Sequence, residues 1–477
     1  MDYKFKTKPY QHQLNALYKS WNKETFAYFM EMGTGKTKVL IDNAAMLYDK
    51  GKIDGVLIVA PKGVIGTWYN NEIPAHLPDH IEKKAVLWQA NINKTQEKKL
   101  NTLFETGHEL HILIMNVEAF STDKGLLFAK KFLRSHKSLM AVDESTTIKN
   151  PKAKRTKNII SLSELTKYRR IMTGSPVTKN PLDLYSQCEF LDSYLLDFQS
   201  YYAFRNRYAE MKTLRMHGRS IQVVSGFKNI DELSKIITRF SYRVLKKDCL
   251  DLPEKIYQRA YVELSKEQRQ IYNSIKNEYV AQLGDDEISV PETITRILRL
   301  QQVVCGWFPS ENEVKPINKT NLRLKALLDI ISEIDSKIII WARFRADIMA
   351  IQAALGDSAV VYYGDVSSDD RVIAVDRFQK DPKIKYFIGQ PQSGGIGLTL
   401  TAAQYAIYYS NSFDLETRLQ SEDRCHRIGT TTNVTYIDLE ASKTVDGRII
   451  KALRDKKSVA DIVNEDPRSM FLEMENE

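Results

Sequence analysis

A β-rich run at residues 26–30 leads directly into Glu31-Met32-Gly33-Thr34-Gly35-Lys36-Thr37, and a helical stretch begins near Lys38. A chain with this succession has few folds open to it. Gly33 and Gly35 let the backbone N–H groups of the Gly33-Thr34-Gly35 turn face a phosphate, and the helix that follows presents its positive dipole end. Lys36 can reach the β/γ oxygens and Thr37 can ligate Mg²⁺. The strict G-x-x-x-x-G-K-[ST] pattern would place glycine at position 30, where this chain has Met30, but the rest of the loop is intact.

The same alternation of β-rich and helical segments runs through two regions. The first offers strands at 26–30, 56–60, 112–116, 139–142 and 170–173, the second at 337–341, 359–363, 386–389, 407–410 and 434–438. This predicts an α/β protein with two lobes, each a mostly parallel sheet with helices on both faces. Between them, from about 182 to 323, the sequence turns helical and aromatic, with Tyr201, Tyr202, Phe204, Tyr208, Tyr242 and Tyr272. The expected division is a first lobe at 1–255 with a helical insertion at about 182–250, a helical connection at 256–322, a second lobe at 323–463 and an acidic tail at 464–477.

Composition narrows the class. At 43% hydrophobic and 27% charged residues the chain is ordinary globular material. Its apolar runs are far shorter than the ~18–20 residues of a membrane span. Lys4, Lys6 and Lys8 have no apolar segment behind them, so a cytoplasmic protein is expected. Cys188, Cys249, Cys305 and Cys425 form no C-x-x-C pair, which points away from zinc and disulfides. A net charge of +9 favours a polyanionic partner.

A second chemical signal is Leu139-Met140-Ala141-Val142-Asp143-Glu144-Ser145-Thr146, an apolar strand that ends in two carboxylates. Asp143 is placed to hold Mg²⁺ through water, and Glu144 to orient and deprotonate the water that attacks a γ-phosphate.

With Lys36, Asp143 and Glu144 in place, the chain resembles the superfamily-2 helicases, and its other blocks resemble the SNF2 family over nearly the whole length. Tyr10-Gln11 is similar to the adenine-reading Q motif, Ala60-Pro61-Lys62 to motif Ia, Asp143-Glu144-Ser145-Thr146 with Ile148-Lys149-Asn150 to the DExH box, and Thr173-Gly174-Ser175-Pro176 to motif III. Residues 239–255 resemble the basic helix ending in L-P-x-K that closes lobe 1. Trp341-Ala342-Arg343-Phe344 stands at motif IV, with Tyr363-Gly364-Asp365 and Arg371 as the next block. The run from Ser393 through Gly395 and Thr399 to Thr401 resembles motif V, and Gln420-Ser421-Glu422-Asp423-Arg424-Cys425-His426-Arg427-Ile428-Gly429 resembles motif VI.

The resemblance implies two RecA-like lobes, ATP and Mg²⁺ as ligands, and DNA-dependent ATP hydrolysis. Gln11, Gly395 and Gln420 join Gly33, Thr34, Gly35, Lys36 and Thr37 as nucleotide contacts. Lys62, Asn116, Ser393 and Thr399 become nucleic-acid contacts. Arg424 and Arg427, three apart on an expected helix, would share a face and point at the γ-phosphate. Two positions depart from the pattern: Thr399 stands where many members carry asparagine, and Thr430 where glutamine is usual. The wording of motif V is nearer the branch that contains the annealing helicases, and a bacterial or phage source is expected.

Lys152, Lys154, Arg155 and Lys157, and Lys212, Arg215, His217 and Arg219, form two basic clusters that could track phosphates. No strand-separating pin is evident. A translocase on double-stranded DNA, with replication or recombination proteins as unidentified partners, is the first expectation. A strand-separating or annealing DNA/RNA helicase and an ATP-gated non-catalytic clamp stay open beside it.

Overall fold

The computed structural model describes residues 3–90, 93–174, 180–198, 200–216, 219–249, 252–285, 290–308, 315–394, 398–427 and 430–455. The chain forms two compact units, Met1–Asp251 and Leu252–Glu477.

Among the described residues unit 1 holds nine strands: β1 (Thr25–Met30), β2 (Gly55–Ala60), β3 (Lys83–Leu87), β4 (Leu110–Asn116), β5 (Ser138–Asp143), β6 (Tyr168–Met172), β7 (Ala209–Met216), β8 (Arg219–Phe227) and β9 (Ser241–Val244). Seven of them make one sheet in the order β3-β4-β2-β5-β6-β1-β9, parallel at every pairing. Parallel strands must be buried on both faces, and the sequence supplies this as near-continuous apolar runs. In β2, Leu57 and Val59 face one core, while Val56 and Ile58 meet Leu40, Ile41 and Ala44 of the helix Lys36–Asp49.

Unit 2 is built the same way from β10 (Lys255–Val262), β11 (Lys337–Trp341), β12 (Ala359–Tyr362), β13 (Tyr386–Gly389), β14 (Ala403–Tyr408) and β15 (Val434–Ala441). They order as β10-β15-β14-β11-β13-β12, again all parallel. The period of two divides β11 between two cores, with Ile339 and Trp341 in one and Ile338 and Ile340 in the other. The helices Lys266–Asp285 and Val290–Val304 pack through Tyr272, Tyr279, Ile297 and Leu300 against the helix Val445–Arg454.

Three features differ from the sequence expectation. The 182–250 stretch is not wholly helical: β7 and β8 pair antiparallel as a separate two-stranded sheet, and β9 joins the main sheet beside β1. The cluster of Lys212, Arg215 and Arg219 therefore lies on this hairpin rather than on a helix. Finally, Lys255 does not close the first lobe, because β10 begins there and pairs with β15 in unit 2. The acidic tail at 464–477 lies outside the described residues, as do Ser175 and Pro176, His217, Gly395, and Ile428 and Gly429. Among the described residues no helix is long and apolar enough to cross a membrane.

Candidate nucleotide site and arginine segment

In unit 1 the loop after β1 turns through two left-handed glycines, Gly33 at φ 79° and Gly35 at φ 83°. These are backbone states that side chains with a Cβ avoid. Gly35 caps the helix Lys36–Asp49, so Lys36 and Thr37 occupy its first turn. The buried Thr34 hydroxyl donates to the Glu31 carbonyl at 2.7 Å and holds the turn closed. One carboxylate oxygen of Glu31 takes the Lys246 amide at 2.7 Å, anchoring the loop from the far side.

β6 lies between β1 and β5 in the sheet, so the loop after β1 and the carboxylates after β5 are two strand spacings apart, roughly 10 Å. Gly174, just beyond β6, fills that gap. A Cβ there would stand 3.1 Å from the Met32 amide nitrogen, so any larger residue would press on the phosphate loop.

Asp143 ends β5 and is buried. Burial, then the neighbouring Glu144, push its carboxyl up, and the Trp68 N–H and Lys36 pull it back, leaving it at about 6. Its Oδ2 accepts from Trp68 Nε1 at 2.9 Å and its Oδ1 from the Glu144 amide at 3.0 Å. Glu144 itself sits at φ 47°, a left-handed state unusual for a residue with a Cβ. Strained backbone of this kind gathers at functional sites. Among the described residues no group of three or more His, Cys, Asp or Glu is placed to hold a metal. Magnesium is commonly held by one or two carboxylates and the substrate's own phosphates. The Thr37 hydroxyl and the Asp143 carboxylate are oxygen donors of the kind such an ion takes.

Gln11, the expected adenine reader, is exposed and its side chain donates to Asn15 at 3.0 Å. The residues that touch the phosphate loop are its neighbours: His12 Nε2 and Gln13 Nε2 both lie at the Thr34 carbonyl, at 2.8 and 3.1 Å. The sequence reading missed these two and Trp68. The i, i+1, i+2 run at the start of a helix carried a signal for Gln13, whose Oε1 accepts the Tyr10 amide as a cap. Nothing in the sequence joined Trp68 to Asp143. The expected nucleic-acid residues stand at strand ends, with Lys62 exposed after β2 and Asn116 ending β4, where its side chain donates to Glu118.

In unit 2 the helix Leu415–Glu422 ends before the arginines, so Arg424 and Arg427 do not share a helical face as expected. They lie in the turn beyond it and converge by another route. Arg424 Nη1 and Arg427 Nη1 both donate to the Leu398 carbonyl, at 3.3 and 3.1 Å. Arg427 also donates to Thr399 Oγ1 at 2.9 Å. Arg424 Nε is tied to the Gln420 carbonyl at 3.0 Å, while the Gln420 side chain donates to Glu416. Ser393 closes the short turn Pro391–Gly394, its amide donating to the Gln390 carbonyl. Thr430, the departure from the family wording, stabilises the arginine turn: its hydroxyl donates to the Cys425 carbonyl at 2.5 Å and its amide to the Arg427 carbonyl at 3.0 Å.

The segment at 252–257 is bolted to this turn. His426 Nε2 lies 2.7 Å from the Pro253 carbonyl. Glu422 Oε2 accepts from Lys255 Nζ at 3.1 Å and from the Tyr257 hydroxyl at 2.7 Å. The Leu252-Pro253-Glu254-Lys255 block thus packs against motif VI within its own unit.

Two parallel α/β sheets, one with a phosphate loop and an Asp-Glu pair at its strand ends, define a phosphate-loop protein of the helicase type. The model for the SNF2-related domain matches residues 10–307, and that for the helicase conserved C-terminal domain matches 322–429. The chain belongs to the SNF2-related family. Its relatives include the DNA annealing helicase and endonuclease ZRANB3 of Bos taurus, 26% identical over 90% of this chain and 38% of that protein. The ATP-dependent DNA helicase DDM1 of Arabidopsis thaliana is 25% identical over 91% of this chain and 58% of that one. The chain spans little more than a third of the first of these and under two thirds of the second. Among solved structures, the Sulfolobus solfataricus SWI2/SNF2 ATPase core in complex with dsDNA aligns over 100% of this chain and 99% of that one, with 22% identity and a TM-score of 0.44.

Proposed function

We propose that this chain is a DNA-dependent ATPase that converts ATP hydrolysis into movement along double-stranded DNA, in the service of replication, recombination or repair. The observation that carries the reading is the Asp143-Glu144 pair, a buried carboxyl and a half-buried one at a strand end two strands from the Gly33–Lys36 turn, with Lys36 close enough to lower the Asp143 carboxyl. Lys36 binds the triphosphate, Thr37 and Asp143 would hold magnesium, and Glu144 takes the proton of the attacking water. Magnesium, when bound, neutralises phosphate charge. Arg424 and Arg427 are the cations proposed to answer charge developing on the γ-phosphate, a role worth roughly 10³–10⁵ in rate where such a finger acts. Lys62, Asn116, Ser393 and Thr399 are the proposed nucleic-acid contacts. A strand-separating or annealing activity is the second reading, favoured by the name of the ZRANB3 relative.

The deciding experiment is steady-state ATP hydrolysis with no nucleic acid, single-stranded DNA, duplex DNA and RNA, at low and moderate salt. Stimulation chiefly by duplex DNA supports translocation, and triplex displacement then measures it directly. Stimulation chiefly by single strands or RNA supports the second reading, and no turnover on any substrate supports an ATP-gated clamp. Glu144→Gln is expected to bind ATP and lose at least about 10²-fold in turnover, whereas Lys36→Ala weakens nucleotide binding itself. Wild-type turnover in Glu144→Gln would remove Glu144 as the base.

A further inference from the structure

Trp68 opens the short π-helical turn Trp68–Glu72, a few residues beyond Lys62, and is only 1% exposed. Its indole N–H, a donor that cannot accept, meets Asp143 Oδ2 at 2.9 Å. The other carboxylate oxygen is fixed by the Glu144 amide. The ring borders a small apolar cavity shared with Leu40 of the phosphate-loop helix, Ile73, Leu77 and Ile112. The ring and the helix that carries Lys36 and Thr37 thus line the same cavity. Filling a core does not by itself call for this bond: among the described residues the buried Nε1 atoms of Trp88 and Trp341 have no hydrogen-bond partner.

We propose that Trp68 is a positioning residue that sets the direction of the Asp143 carboxylate for a divalent cation, joining the segment after Lys62 to the metal-binding end of β5. This rests on the ATPase reading above. Two facts support it. First, with Oδ1 held by the backbone and Oδ2 by the indole, the carboxylate cannot rotate about χ2 without breaking a bond, so its remaining lone pairs have one fixed aim. Such support by a hydrogen-bonded partner is commonly worth 10–100-fold in metal affinity. Second, the π-helical turn places the indole there at the expense of regular helix geometry, and such turns are frequent at functional positions.

The test compares wild type with Trp68→Phe, which keeps most of the ring and removes the N–H, and with Leu77→Ala, which loosens the same apolar cavity and leaves the N–H. A fluorescent ATP analogue is titrated in EDTA and again in excess Mg²⁺, and the Mg²⁺ concentration giving half-maximal ATPase is read separately. Trp68→Phe is expected to match wild-type affinity in EDTA within about twofold. It should forfeit about tenfold of the affinity gained with Mg²⁺ and need about tenfold more Mg²⁺ for half-maximal turnover. Leu77→Ala should melt earlier and keep the wild-type Mg²⁺ midpoint. If Trp68→Phe fails to fold, benzothienylalanine at position 68 exchanges the N–H for sulfur at nearly constant shape and is read the same way. An unchanged Mg²⁺ gain in the variant that folds, or an equal shift in Leu77→Ala, overturns the proposal alone. A wild-type chain that binds no nucleotide with or without Mg²⁺ overturns the ATPase reading along with it.

Discussion

Arg418 is buried to 5% exposure and places its guanidinium on three partners. Nε donates to Glu422 at 2.8 Å, and Nη1 donates to Asp438 Oδ1 at 2.5 Å and to Asn411 Oδ1 at 2.6 Å. The guanidinium also stacks 3.4 Å from the Tyr408 ring centroid. Burial pushes the Asp438 carboxyl up, but Arg418, Asn411 and Arg454 outweigh it and hold the group below the usual carboxylate range. Arg170, also inaccessible, is held by neutral oxygens: Asn43 Oδ1 and the carbonyls of Ser20, Lys23, Glu24 and Arg169 accept its donors. The two arrangements respond differently to mutation. Removing one partner of a buried ion pair strands the other charge, at about 3–5 kcal/mol. Asp438→Ala is therefore expected to destabilise unit 2 by about that amount in urea denaturation at pH 7. A change under about 1 kcal/mol would mean that Glu422 alone satisfies Arg418. The lowered Asp438 carboxyl also fixes the pH sense: its contribution is present at neutral pH and lost as acid protonates it.

At the scale of elements, what the sequence showed depended on burial. β2, β4, β5 and β11 are buried on both faces and read as unbroken apolar runs, so they were legible to within two residues. β3 and β10 were not legible, because both are edge strands whose mixed sequences, Lys-Lys-Ala-Val-Leu in one and only one fully buried residue in the other, lack that signature. β9 hides as four residues inside a basic, aromatic stretch. The arginine turn was misread for a different reason. Spacing of three suits a helix face, but the helix stops at Glu422, and its Asp423 cap passes the arginines to a turn closed by Thr430. The β7–β8 hairpin was missed because its sequences alternate poorly. Its base is tied in, with Met211 and Phe227 packed against the unit 1 core. An isolated two-stranded ribbon is marginal in water, so its outer part should contribute little to stability. Replacing residues 213–222 by Asn-Gly is expected to move the melting temperature by under about 2 °C. Weaker DNA binding by the same variant, with the fold intact, would assign phosphate contacts to Arg215 and Arg219.

For the whole molecule, the relevant quantity is how much of DNA binding is charge. The net charge of +9 is uneven, +14 in unit 1 against −5 in unit 2, and the proposed contacts combine one cation, Lys62, with neutral Asn116, Ser393 and Thr399. A motor must release and regrip at every step, so contacts to phosphates, which carry no sequence information, suit it better than base readout. Each phosphate neutralised by a cation adds about −0.9 to the slope of log K against log salt on duplex DNA. Lys62→Ala is accordingly expected to weaken duplex binding and make the slope shallower by about 1. Thr399→Ala, which removes a neutral hydroxyl, should weaken binding with the slope unchanged. The two variants form an internal comparison, because both stand at the ends of sheet strands or in the segment beside them, and only one changes charge. Thr399 also accepts from Arg427, so its variant should lower DNA-stimulated ATPase more than its loss of affinity accounts for. Fluorescence anisotropy of a labelled duplex from 50 to 200 mM salt, run beside ATPase assays on the same variants, measures both effects. Equal slopes for Lys62→Ala and wild type would show that Lys62 does not neutralise a phosphate and would move the search for the cationic track to Lys152, Lys154, Arg155 and Lys157.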